Sequence, residues 1–286
     1  MTENVLAVPK PIEFSNLPVD ILNSIVEFLS MKDRLIVRKV SSNLRDIIDH
    51  QKVNVFNLEI ISDLHGISRL NLNFAHIQYA EENRDEALQD LKISLKLAKK
   101  IERFEFEGSS ALIPELSRQF VDQILARIVK INADQALSIL SIFKSGFLEK
   151  INLRAPNRQG NILALLDTEH FKNSKILEIE NFGIFPYEAL PQLLHLEQFR
   201  ITVLTIRGQD VIYLRDALLE SRTSLKYCSL TMPGFINTVE VARAIGAQPE
   251  DGFDDDGRDD PNRSIFLNFE NTVKVAISPN FVKIFK

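Results

Sequence analysis

Several features that would place a protein in a functional class are absent from this chain of 286 residues. It has no tryptophan and a single cysteine, Cys228, which cannot form an internal disulfide and is typical of a reducing compartment. No apolar run approaches the roughly 18 residues of a membrane-spanning helix, and the first residues lack the pattern of a secretory signal. We therefore expect an intracellular protein, cytoplasmic or nuclear, with no membrane association.

An excess of positive charge is also absent. The 34 Lys and Arg residues against 39 Asp and Glu residues give a net charge of −5. A chain with this balance lacks the electrostatic character of a nucleic-acid-binding protein. Apolar residues make up 45% of the chain, which excludes intrinsic disorder and allows a sizeable core.

Motifs that carry catalysis or metal binding are missing as well. The sequence holds no G-x-S-x-G, no phosphate-binding glycine loop, no H-E-x-x-H and no C-x-x-C, and its five histidines are scattered. Residues 249–262 include seven acidic residues, but Gly252 and Arg263 stand where a calcium loop needs acidic ligands. We interpret this segment as a solvated loop and expect no catalytic residue, metal or cofactor.

A dense apolar cluster follows a short polar lead-in at residues 1–13. Half of the 32 positions from Leu17 to Ile48 are large and apolar. Pro18 suits the first turn of one helix, Ser30 and Asp33 form a capping box for a second, and Ser41 can cap a third. Three short helices cannot cover this much apolar surface by themselves. The cluster therefore either caps the rest of the chain or presents a hydrophobic patch to a partner.

The remainder of the chain alternates strand-like and helical stretches. Residues 53–74 favour a hairpin, residues 82–100 a helix, and residues 264–286 a closing set of strands. An apolar-x-x-apolar-x-apolar template recurs, with starts at residues 101, 148, 174, 201 and 225. The last four starts are 24 to 27 residues apart, and the longer first step predicts an additional helix from Pro114 to Lys130. A strand and a helix at this period indicate an α/β solenoid of the leucine-rich-repeat type.

The segment LPVDILNSIVEFLSMKDRLIVRKVSSNLRDII, Leu17 to Ile48, resembles an F-box. The stretches ALSILSIFKSGFLEKINL, HFKNSKILEIENF and LRDALLESRTSLKYCSL resemble the DUF38 or FTH domain of nematode F-box proteins. The resemblance implies a three-helix F-box at residues 14–50 followed by a repeat domain at residues 51–286. It also implies a non-catalytic, substrate-recruiting subunit of a cullin–RING ubiquitin ligase, whose F-box binds a Skp-type adaptor and, through it, a cullin.

The F-box motif places ten residues where adaptor contacts are expected. They are Leu17, Pro18, Ile21, Leu22, Ile25, Leu29, Asp33, Leu35, Val40 and Leu44.

Side chains between the last two apolar positions of each repeat are expected to point away from the core, because side chains alternate along a strand. We predict a target-binding face there, with the following members: Glu105, Asn152, Arg154, Glu178, Glu180, Thr205, Arg207 and Ser229. The alternative is a repeat-domain interaction scaffold, with no ligase role, whose helical cluster is only a cap.

Overall fold

The computed structural model describes residues 17–63, 65–154, 162–183, 185–203, 205–220, 223–246, 264–270 and 272–286. The lead-in and the acidic segment at 249–262 lie outside these ranges. The α-helices are α1 Val19–Phe28, α2 Met31–Val37, α3 Ser42–His50, α4 Arg84–Leu97, α5 Ile113–Phe120, α6 Ala136–Leu140, α7 Ile162–Leu166, α8 Glu169–Lys172, α9 Gly208–Leu219 and α10 Thr238–Ala244. Short 3-10 helices occur at Glu81–Asn83, Ser110–Leu112 and Tyr187–His195.

The described strands form a single twelve-stranded sheet. They are β1 Val53–Asp63, β2 Gly66–Leu72, β3 Ala75–Gln78, β4 Ala98–Glu107, β5 Ala126–Asn132, β6 Lys150–Arg154, β7 Ile176–Gly183, β8 Gln198–Val203, β9 Tyr227–Thr231, β10 Ile265–Phe269, β11 Val273–Ser278 and β12 Phe281–Phe285. Their order in the sheet is β10-β11-β12-β9-β8-β7-β6-β5-β4-β1-β2-β3. The fold is thus mixed α/β, with helices at the N-terminus and one large sheet.

The centre of the sheet is parallel and its two ends are antiparallel. Strands β1 and β4 to β9 pair in parallel with their neighbours in chain order. The predicted hairpin is confirmed, since β1 pairs antiparallel with β2 and Asp63 faces Gly66 at the turn. The predicted closing strands are also confirmed, because β10, β11 and β12 form an antiparallel set that joins the sheet through β9.

The apolar template describes the buried side of each parallel strand. In β4, for example, Ile101, Phe104 and Phe106 are all buried, and the ring of Phe104 meets that of Phe143 edge-on with centroids 4.9 Å apart. Helical side chains such as Leu91 in α4 and Leu214 in α9 join the same hydrophobic core. The core therefore lies between one face of the sheet and the helices.

Two expectations about the repeats are wrong. Residues 114–130 are not one helix, because α5 ends at Phe120 and β5 starts at Ala126. The strand placed at residues 201–206 is instead β8, Gln198–Val203. In both cases the buried apolar template starts at a residue that the sequence analysis did not select. The buried residues are Ala126, Val129 and Ile131 for β5, and Leu196, Phe199 and Ile201 for β8. Starts from residue 101 onward are then 25, 22, 26, 22 and 29 residues apart.

Residues of alternating charge occupy the second position of the apolar template in six successive parallel strands. We call this row the charge ladder. Its members, in order, are Glu102, Arg127, Glu149, Lys175, Glu197 and Lys226. Arg127 pairs with Glu102 on one side and with Glu149 at 2.6 Å on the other. Lys226 lies 2.7 Å from Glu197. Hydrogen bonding to Arg127 lowers the pKa of Glu149, and hydrogen bonding to Lys226 lowers that of Glu197. These ion pairs join residues at the same template position of neighbouring strands.

Polar contacts fasten the three N-terminal helices to α4. Lys39, which directly follows α2, lies 2.7 Å from Glu86 and 3.1 Å from Asp90. Asp49 of α3 receives two hydrogen bonds from Arg38, at 2.7 and 2.9 Å. These bonds lower the pKa of the Asp49 carboxyl. The N-terminal helices are therefore packed against the first helix of the repeat region.

Candidate interaction surfaces

Exposed apolar side chains lie on α1, on α2 and in the turn after α2. Phe28 is 89% exposed, and Ile21 lies seven residues before it on the same side of α1. On α2 and the turn after it, Ile36 and Val40 are also exposed and are four residues apart. We call the exposed residues Val19, Ile21, Phe28, Ile36 and Val40 the helical apolar surface. Five of the 13 exposed large apolar residues in the described part of the chain lie between residues 19 and 40, and such a concentration is typical of an interaction site.

The ten predicted adaptor contacts divide into exposed and buried residues. Pro18, Ile21, Asp33 and Val40 are exposed, whereas Leu17, Ile25 and Leu29 are half-buried. Leu22, Leu35 and Leu44 are buried within the chain, at 1, 2 and 4% exposure. These three leucines hold the helices to one another and do not face outward. That Leu22, Leu35 and Leu44 contact an adaptor stays a prediction.

Serine caps explain why the chain forms separate helices here. The Ser30 hydroxyl accepts a hydrogen bond from the backbone N–H of Asp33 at 3.2 Å and donates one to its carboxylate at 2.6 Å. Ser41 accepts likewise from the backbone N–H of Leu44. Both arrangements satisfy donors that the first helical turn leaves unpaired. Asp33 is thus engaged in capping α2.

The sheet face opposite the helices carries rows of polar side chains in register. Across neighbouring strands, one row aligns the following residues: Glu59, Glu105, Lys130, Asn152, Glu178, Arg200, Ser229 and Lys283. We call this side of the sheet the open face. Six of the eight predicted target-binding residues lie on it, namely Glu105, Asn152, Arg154, Glu178, Glu180 and Ser229.

Ion pairs connect the open face over β4 to β7. Glu105 lies 2.6 Å from Arg103 and 3.3 Å from Lys130. Arg154 lies 2.8 Å from Glu107. One strand further, Glu178 accepts from Lys150 at 2.8 Å, and Asn152 donates to it at 3.0 Å. This part of the face is a neutralised network, so most of its charges already have partners.

Four of the predicted target-binding residues differ from expectation. Thr205 and Arg207 lie beyond the end of β8, and Arg207 is the N-cap of α9. Because the strand begins earlier than predicted, Arg200 takes the outward position that Thr205 was expected to hold. Asn152 and Ser229 lie on the open face but are buried, at 8 and 0% exposure, since longer side chains flank them.

A cavity of about 810 Å³ opens on the helical side, between the Tyr187–His195 helix and the starts of α9 and α10. Its lining mixes apolar side chains such as Leu190 and Val241 with the charged Arg207, Asp210 and Glu240. The Asp210 carboxylate accepts the backbone N–H of Arg207 at 3.0 Å. Asp210 is thus used to cap α9.

The described residues contain no group of three or more metal-ligating side chains. Cys228 is fully buried, and burial raises the pKa of its thiol. Burial and the neighbouring Asp90 raise the pKa of the Tyr79 hydroxyl in the same way. Both groups are therefore held in their neutral forms.

Among the helices that the structure describes, none has the length and apolar character needed to cross a membrane.

Comparison with known proteins identifies two domains. The F-box domain family matches residues 14–56, and the FTH domain family matches residues 118–247. Among curated proteins, F-box A protein 224 of Caenorhabditis elegans is similar, at 22% identity over 319 aligned positions. The alignment covers 94% of this chain and 77% of that protein. Helices α1, α2 and α3 lie in the first match and β5 to β9 lie in the second, so the chain contains an F-box domain and an FTH domain.

Proposed function

We propose that this chain is a substrate-recruiting subunit of a Skp–cullin–F-box ubiquitin ligase. In this proposal the F-box binds a Skp-type adaptor through the helical apolar surface, and the repeat domain binds a target protein through the open face. Catalysis would belong to other subunits. The observation that carries the proposal is the concentration of exposed apolar residues on α1, α2 and the turn after α2, where Phe28 and Val40 are 89 and 72% exposed.

The adaptor contact is proposed for the exposed residues of the F-box. A side chain that is already buried in the free chain cannot lose further apolar area on binding, so Leu22, Leu35 and Leu44 contribute by keeping the helices folded. Phe28, Val40 and Ile21 retain area to bury. Together with the half-buried Leu29, they are the proposed anchors.

The repeat domain is proposed to be leucine-rich-repeat-like. Seven parallel strands in chain order, each with the same buried template and connected through helical segments, support this class. Such an arrangement leaves one face of the sheet free of helices, and repeat proteins commonly bind partners on extended surfaces of this kind.

A scaffold without a ligase role is the second candidate, and one observation favours it. The ion pairs of Lys39 with Glu86 and Asp90 attach the N-terminal helices to α4, as a terminal cap would be attached. A cap is needed to shield the first repeat from water. The two candidates differ in whether an adaptor binds.

Binding to a purified Skp-type adaptor tests the proposal. The double variant Phe28→Ala/Val40→Ala is expected to weaken adaptor binding by at least thirtyfold, since truncating one buried anchor costs about 2 kcal/mol. Its melting temperature is expected to stay unchanged, because both residues are exposed in the free chain.

Phe235→Ala/Phe266→Ala is the matched control, because these exposed phenylalanines lie near the other end of the chain from the F-box. Calorimetric titration with each variant measures the effect. A full chain that binds no Skp-type adaptor, or a control pair that loses as much affinity as the F-box pair, would support the cap instead.

A further inference from the structure

Charge on the open face is divided between two regions. Strands β8, β9, β12, β11 and β10 contain no Asp or Glu, and their cations are Arg200, Lys274 and Lys283. All three cations lie on the open face, since the buried residues alternate with them, as Val273 and Val275 do around Lys274. The other region, described above, carries carboxylates on β1, β4 and β7. One end of the face is therefore purely cationic.

The cations of this region are not neutralised within the described part of the chain. Arg200 and Lys274 are exposed and form no ion pair with a described residue. The carboxylate nearest to Arg200 in register, Glu178, is already bonded to Lys150 and Asn152. Lys283 lies over the ring of Phe281, 4.3 Å from its centre. A ring face orients the ammonium group but does not neutralise it.

The side chains between and beside the cations are short or aromatic. Ser229, which lies between Arg200 and Lys283, is fully buried, and Ala276 on the other side of Lys283 is 6% exposed. The half-buried rings of Tyr227 and Phe285 lie in the next row. Arg200 and Lys283 therefore cover Ser229 and present their charges above it, and the aromatic rings supply apolar contact beside them.

We propose that this region binds an extended acidic peptide segment of the target protein. We call it the cationic face and define it by Arg200, Lys274, Lys283, Tyr227, Phe281 and Phe285. The inference rests on the proposed function, because it names the chemistry of the partner that the repeat domain holds. Charge complementarity carries it: carboxylates on the partner would supply the counter-charges that the chain does not.

The spacing of the cations fits an extended peptide. Arg200 and Lys283 are separated by one strand, so their backbones are roughly 10 Å apart. Lys283 and Lys274 are diagonal neighbours on adjacent strands, roughly 8 Å apart. An extended peptide in the polyproline II conformation has three residues per turn and rises about 3.1 Å per residue, so acidic side chains three residues apart lie on one side, roughly 9 Å apart, and would meet successive cations.

A protein segment fits the cationic face better than a nucleic acid does. Three cations on a chain with a net charge of −5 give little long-range attraction for a phosphate backbone. The other side chains on the face are apolar, hydroxylic or amide, which suits peptide contacts. A single-stranded oligonucleotide therefore serves as a competitor in the test.

The test measures binding of a fluorescent peptide of about twelve residues, with Asp or Glu at every third position and Ser, Thr or Gly between them. The full chain is used, in complex with the adaptor where that complex forms. Saturable binding is expected, with weakening as NaCl rises from about 50 to about 300 mM. The triple variant Arg200→Glu/Lys274→Glu/Lys283→Glu is expected to raise the Kd at least tenfold.

The matched control is Arg69→Glu/Lys99→Glu/Lys144→Glu. It makes the same change in net charge at three exposed cations that form no ion pair with described residues, and Arg69 lies at the opposite end of the sheet. Its Kd is expected to change less than twofold. Equal loss in both triple variants would overturn the proposal, because the attraction would then be unspecific.

Three other results would also overturn it. They are an absence of peptide binding up to about 1 mM, equal binding of a peptide with Asn and Gln in place of its acids, and tighter binding of a single-stranded oligonucleotide. Adaptor binding is measured on the same samples. If the adaptor binds and the peptide does not, the cationic-face proposal fails while the ligase proposal stands. If only the peptide binds, the ligase proposal fails alone.

Discussion

Replacing Phe104 by alanine should destabilise the repeat region more than any surface change. Phe104 is fully buried in the centre of the core and contacts the ring of Phe143 edge-on. Replacing a buried phenylalanine by alanine lowers the free energy of unfolding by about 3 to 5 kcal/mol. An edge-on ring pair contributes about 1 kcal/mol, so the loss of the contact with Phe143 favours the upper end of that range. For a chain whose total stability is on the order of 10 kcal/mol, this is a third or more.

The matched comparison is Phe74→Ala, because Phe74 is 92% exposed. This substitution removes the same atoms, but from a side chain that already faces water. Urea unfolding followed by circular dichroism gives the free energy of unfolding of each variant. Phe104→Ala is expected to lower it by about 4 kcal/mol and the melting temperature by about 8 to 16 °C. Phe74→Ala should change it by less than about 0.5 kcal/mol. A loss below about 1 kcal/mol for Phe104→Ala would refute the reasoning about the core.

Two further predictions concern the backbone and pH. Gly108→Ala is expected to destabilise the fold by several kcal/mol, because Gly108 has φ +129° and an added methyl group would lie 1.8 Å from the carbonyl oxygen of Ser62. Gly146 has φ +78° and no atom near the position of an added methyl group, so Gly146→Ala should cost only about 1 kcal/mol. Differential scanning calorimetry can measure both changes in stability. The hydrogen bonds from Arg38 keep the pKa of Asp49 in the folded chain below its value in the unfolded chain. The pair therefore stabilises the folded chain fully above the unfolded pKa of about 3.9, and this stabilisation is lost as pH falls through the lower folded pKa. Acid titration of stability should therefore be shallower in Asp49→Asn, and an unchanged slope would contradict the role of this pair.

The mixed α/β fold could be predicted from the sequence because an apolar strand template recurs along the chain with helical stretches between its copies. Where the prediction of strands was wrong, two templates competed. Ile201, Leu204 and Ile206 have the same spacing as Leu196, Phe199 and Ile201, and only the pairing of β8 with β7 selects the second set. The strand at Ala126 was missed because alanine is a weak apolar signal and a helical pattern precedes it.

Members of the interaction surfaces were harder to predict than the fold. A motif marks Leu22 and Phe28 alike as apolar, but the packing of α1 against α3 buries the first and leaves the second exposed. The burial of Ser229 depends on Arg200 and Lys283, which are 29 and 54 residues away in the chain and become neighbours only in the sheet. Local periodicity contains no information about such neighbours.

The charge ladder from Glu102 to Lys226 restricts how this domain can lengthen or shorten. Because acid and base alternate from strand to strand, removing one repeat would bring two like charges side by side, for instance Glu102 and Glu149 if the strand of Arg127 were lost. Removing two adjacent repeats would restore the alternation. Duplications and deletions within this domain should therefore be tolerated better in pairs of repeats than singly, which gives the repeat array a parity that its hydrophobic core does not impose.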